Sequence, residues 1–91
     1  MKFQDALFNW LQIKIVANAR PDDRAALDTC EFFAAILTED HGVSELNIET
    51  TDATMVHIRY VVDGQAKKQM FPREVAEQLL HDINSNPKYN E

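Results

Sequence analysis

The chain has 91 residues, 45% apolar and 26% charged, and its 15 acids against 9 bases give a formal net charge of −6. Those figures describe one small globular domain, too apolar for disorder and too acidic to attract nucleic acid or anionic lipid as a whole. No apolar run is long enough to span a bilayer, a single Cys makes no internal disulfide, and the opening Met1-Lys2-Phe3-Gln4-Asp5 lacks a signal peptide's apolar stretch. The expectation is a cytoplasmic protein kept reduced, with one domain over residues 1–86 and a loose polar tail over 87–91.

Phe3, Leu7, Leu11 and Ile15 recur at four, with Phe8 and Trp10 beside them, and predict a helix over about Phe3 to Ala19. Lys2, Asp5, Asn9 and Gln12 share the opposite side. Ile13 and Val16 fall off the stripe and need cover from elsewhere, either from the rest of the domain or from a second copy of the chain.

Arg20-Pro21-Asp22-Asp23 is a break and a restart, because Pro21 cannot continue the helix and biases Arg20 away from helical angles. Asp22 is the expected N-cap. The second helix then runs to about Asp40, with Gly42 as its stop. Ala26, Leu27, Cys30, Phe33, Ala34 and Leu37 make one stripe, which Phe32 and Ile36 widen past half the circumference. Such a helix is expected to lie between the first helix and a sheet.

The apolar period then changes from 3.6 to 2. Glu45 to Thr50 reads as a half-buried strand and Met55 to Val62 as a second. Asp63-Gly64 is a two-residue hairpin signal. That loop places Val62 opposite Gln65, Tyr60 opposite Lys67, Arg59 opposite Lys68, Ile58 opposite Gln69 and His57 opposite Met70 on a third strand, Gln65 to Phe71. Pro72 opens a last helix whose narrow stripe is Val75, Ala76, Leu79, Leu80 and Ile83. The fold expected is α+β: a single small domain in the order α-α-β-β-β-α, with a three-stranded antiparallel meander carrying its helices on one face. Its core should hold Leu7, Leu11, Leu27, Phe33, Leu37, Leu46, Ile48, Val56, Ile58, Tyr60, Leu79, Leu80 and Ile83.

The sequence carries no signature of catalysis. His41, His57 and His81 sit on three separate elements, without the spacing of a zinc site. Cys30 lies in the apolar stripe of the second helix, where it reads as a small hydrophobe. Gly42 and Gly64 each stand alone, so no phosphate loop is present. No catalytic, cofactor-binding or metal-binding residue is therefore assigned, and no enzyme activity or cofactor is expected.

Charge segregation is the informative feature. Met55 to Arg73 holds Arg59, Lys67, Lys68 and Arg73 against the one acid Asp63, a net +3 that leaves −9 on the remainder. The register puts Met55, His57, Arg59, Val61, Lys68 and Met70 on the sheet face away from the helices, with Arg59 and Lys68 as an unfavourable like-charged pair. These six residues are the candidate partner-binding set. The reading is a non-enzymatic interaction module, a regulator or adaptor, whose cationic, Met-containing sheet face takes a protein partner or a second copy.

From the second helix onward, the α-β-β-β-α order resembles that of the double-stranded-RNA-binding domain. The resemblance implies phosphate contacts from lysines at the start of the last helix. Here that place reads Pro72-Arg73-Glu74-Val75-Ala76-Glu77, with one Arg, two acids and no lysine cluster. Nucleic acid is thus the alternative partner, and a small ligand in a site the sequence does not announce is the third.

Overall fold

The computed structural model describes residues 1–85. The tail expected over 87–91, and Asn86 before it, lie outside the described residues. Two helices, α1 (Phe3–Ala19) and α2 (Arg24–His41), precede three strands, β1 (Val43–Thr51), β2 (Met55–Val62) and β3 (Gln65–Pro72). Two short helices follow, α3 (Arg73–Ala76) and α4 (Gln78–Ser85). The sheet is an antiparallel meander in the order β1-β2-β3. The α+β architecture and element order are those expected from the sequence.

The chain turns between α1 and α2 through Pro21. The Arg20 amide still donates to Val16 O at 2.8 Å, and the Asp23 amide closes back on Arg20 O at 2.9 Å. Asp23, not Asp22, caps α2. Its Oδ1 accepts from the Ala26 amide at 3.0 Å while its Oδ2 takes the Arg20 Nε at 3.2 Å. That amide, then the Arg20 guanidinium, holds the Asp23 carboxyl below its ordinary range. Gly42 ends α2 at φ +69°, with its amide on Leu37 O. This left-handed cap is open to glycine without strain.

The central element is α1. Ala6, Leu7, Trp10, Leu11, Ile13, Val16 and Ala17 are all buried, on more than half of its circumference. Leu7 and Leu11 join Val56, Ile58 and Tyr60 of β2 in one cluster. Ile13, Val16 and Ala17 join Ala26 of α2 in a second, against which Leu79, Leu80 and Ile83 of α4 pack. The cover for Ile13 and Val16 thus comes from within the domain.

That arrangement corrects the place of α2. It packs along α1 and adjoins the sheet chiefly at β1, and its outer side is open. Leu27, expected in the core, is 38% exposed, and Phe32 is 59% exposed with its ring edge-on to Phe33. Phe33, Leu46, Ile48, Leu79, Leu80 and Ile83 are only half-buried, whereas Trp10, Val43 and Ala76 are fully inside. The physical reason is that α1 occupies the space over the sheet, and one small sheet has no room for a second helix.

Two further boundaries differ. β1 is longer than expected and carries two irregularities, between Val43 and Glu45 and between Ile48 and Thr50. Such bulges bend an edge strand and spoil it as a template for a further strand. The last helix is bent at Glu77, whose ψ of −2° departs from helical geometry although its amide still donates to Arg73 O at 2.9 Å and its carbonyl accepts from the His81 amide at 3.0 Å. Val75, before the bend, is 51% exposed, not on a buried stripe.

Candidate functional site

The two-residue turn fixes everything on β2 and β3. Asp63 and Gly64 both have positive φ, +54° and +76°, the geometry that matches the twist of a tight hairpin. All five cross-strand pairs expected from it are present. Val56, Ile58 and Tyr60 turn to the helices and are buried. Met55, His57, Arg59 and Val61 alternate with them onto the other face and are half-buried, beside Lys68 and the 56% exposed Met70. The six candidate residues therefore share one continuous face, and no described helix lies on it.

Three acids that sequence reasoning did not assign to this face join it. Cross-strand rows place Glu45 beside Val61 and Ala66, Asn47 beside Arg59 and Lys68, and Thr50 beside His57 and Met70. Glu45 Oε2 lies 3.4 Å from the Arg59 guanidinium, and Glu49 Oε2 lies 3.3 Å from Lys68 Nζ. The expected like-charged pair is thus real in register but each member has a carboxylate beside it. The face is of mixed charge, not cationic. The alternation of Glu45, Asn47 and Glu49 was visible in the sequence. The β1 bulges, which set where those acids stand relative to β2, were not.

Asp52 is the third acid. It turns the chain from β1 to β2, its Oδ1 accepting from the amides of Thr54 at 2.9 Å and Met55 at 2.7 Å. Its Oδ2 is 2.7 Å from His57 Nε2. The bond from His57, followed by the two amides, holds the Asp52 carboxyl well below the usual carboxylate range. This contact fixes the His57 ring at one end of the face.

Arg73, the cation that stands where the double-stranded-RNA-binding domain has lysines, is committed within the domain. Its Nε donates to Glu77 Oε2 at 2.9 Å and its guanidinium to Asp52 O at 3.2 Å. Cys30 is half-buried between α2 and β1, and burial pushes its thiol pKa up. It lines an open cleft of about 240 Å³ with Trp10, Lys14 and Glu45. Among the described residues no three His, Cys, Asp or Glu side chains are grouped to hold a metal ion, and no helix is long and apolar enough to cross a membrane.

No family model, curated protein or solved structure matches this chain. Its functional reading rests on its own residues.

Proposed function

We propose that this chain is a non-enzymatic protein-interaction module that works through the open face of its sheet, and that the occupant of that face is a second copy of the chain. The observation that carries the reading is the uncovered face itself. Met55, His57, Arg59 and Val61 are half-buried there while Met70 is 56% exposed, with no described helix over them. Apolar side chains set among charged ones, as Met55, Val61 and Met70 are here, are how a protein contact surface is built, and unbranched Met side chains adapt to a partner.

Charge complementarity selects the occupant. Glu45 and Glu49 stand on the β1 flank of the face, and Arg59 and Lys68 stand on its β2–β3 side. A two-fold axis lying in the interface along the strand direction sets the acidic flank of one copy over the basic side of the other, twice. The same acids argue against nucleic acid, because a phosphate backbone approaching Arg59 and Lys68 also approaches two carboxylates.

Sedimentation velocity over a wide concentration range tests the reading. The wild type is expected to pass from monomer to dimer as concentration rises. Met70→Glu, at an exposed position that leaves the fold intact, is expected to shift it to monomer, and Val61→Glu added to it to abolish the dimer. A wild type that stays monomeric throughout, or a dimer that survives both substitutions, overturns it.

A further inference from the structure

A second cleft lies on the helix side of the sheet, at the end where α1 begins and α2 stops. Phe3, His41, Tyr60, Val62 and Lys67 line it, and its volume is about 200 Å³. Tyr60 is only 7% exposed, yet its hydroxyl makes no hydrogen bond among the described residues. Buried tyrosines normally place that group on a partner. No side-chain polar atom among the described residues is both sealed from solvent and unpartnered, so the hydroxyl still reaches solvent, and Tyr60 lines this cleft.

A cation stands beside it. Lys67 is the direct cross-strand partner of Tyr60, so the two side chains leave the same face of the sheet side by side. Lys67 is exposed and has no carboxylate partner among the described residues, whereas Arg20, Arg59, Lys68 and Arg73 each have one. No acid lines the cleft. The walls are aromatic: the Phe3 ring is 5.3 Å from that of Tyr60 and 5.5 Å from that of His41. His41 Nε2 donates to Met1 O at 2.9 Å, which holds its ring in place.

We infer that this cleft is a binding site for a small carboxylate carried on a compact aromatic or apolar body. One carboxylate oxygen accepts from the Tyr60 hydroxyl and the charge is met by Lys67. The body lies against Phe3, His41 and Val62. The volume is that of about seven waters in the liquid, room for one ring and its carboxylate. A neutral ligand of the same shape keeps the wall contacts and loses the charge-assisted bonds. This site is on the opposite side of the sheet from the interaction face and stands independently of it.

Benzoate serves as the probe, with benzyl alcohol as its neutral counterpart, both titrated into isotopically labelled protein and followed by amide NMR. Benzoate is expected to shift the signals of His41, Tyr60 and Lys67 saturably, and benzyl alcohol to bind about tenfold more weakly. Tyr60→Phe removes only an unpartnered hydroxyl and Lys67→Gln lies on the surface, so both should fold as wild type, checked by their urea midpoints. Each is expected to weaken benzoate about five- to tenfold. Absence of saturable shifts at these residues, equal binding of the alcohol, or binding unchanged in Lys67→Gln overturns the inference. Should Tyr60→Phe fail to fold, Lys67→Gln and the alcohol decide it.

Discussion

Leu27 and Leu37 are the same residue on the same helix, and the position of α1 makes them energetically different. Leu→Ala deletes roughly three methylene-sized groups, about 2.4 kcal/mol at full burial. Leu37 is 0% exposed within the main cluster. Its truncation also leaves a cavity that packed neighbours cannot fill, which raises the cost to about 3–4 kcal/mol. Leu27 is 38% exposed, so the transfer contribution falls to about 1.5 kcal/mol, and no cavity forms on a side open to water. The difference of about 2 kcal/mol corresponds to roughly 10 °C in Tm for a domain of this size. Trp10, the one tryptophan and 3% exposed, reports unfolding by fluorescence in urea or on heating. Equal destabilisation by Leu27→Ala and Leu37→Ala at a dilution where the chain is monomeric would refute the placement of α1 between α2 and the sheet.

The remaining predictions concern charge and backbone. Asp52, with its carboxyl held below the ordinary range, contributes stability that is present above the unfolded carboxyl pKa and lost as pH falls toward the depressed folded value. Asp52→Asn should therefore be less stable than wild type at pH 7, with the gap closing in urea titrations repeated below about pH 4. Arg59→Glu with Lys68→Glu gathers five carboxylates on one face and should cost about 1 kcal/mol or more, while the Gln pair at the same positions should cost under about 1. Gly42→Ala meets no atom within 4 Å of its new Cβ but must hold φ +69°, so a loss of about 1 kcal/mol in urea unfolding would come from the backbone alone. Cys30, half-buried with a raised pKa, should react with a thiol reagent at pH 8 several-fold more slowly in the folded chain than in urea.

What the sequence made legible was whatever a local rule decides. The change of period from 3.6 to 2 located sheet and helices, and Asp63-Gly64 set the β2–β3 register to the residue, which brought Met55, His57, Arg59, Val61, Lys68 and Met70 onto one face. What it did not show was decided at longer range. The apolar breadth of α2 was real, but it measured helix composition and not cover, since α1 took the place over the sheet. Glu45 and Glu49 were plainly alternate residues on a strand, yet their pairing with Arg59 and Lys68 depends on two β1 bulges that no turn signal announces. The Tyr60 cleft needs Phe3 and Lys67, 64 positions apart in the sequence.

The position of α1 also carries a consequence for biosynthesis. Of the elements of this domain α1 is made first, and it is the one that the others must surround. Leu7 and Leu11 wait for β2, and Ile13, Val16 and Ala17 wait for Leu79, Leu80 and Ile83 in the last helix to be made. Until translation has passed Ile83, the nascent chain exposes an apolar cylinder with no native cover for one of its flanks. Closure of the domain is thereby deferred until Ile83 has left the ribosome, and α1 is meanwhile a substrate for whatever holds unfinished chains apart.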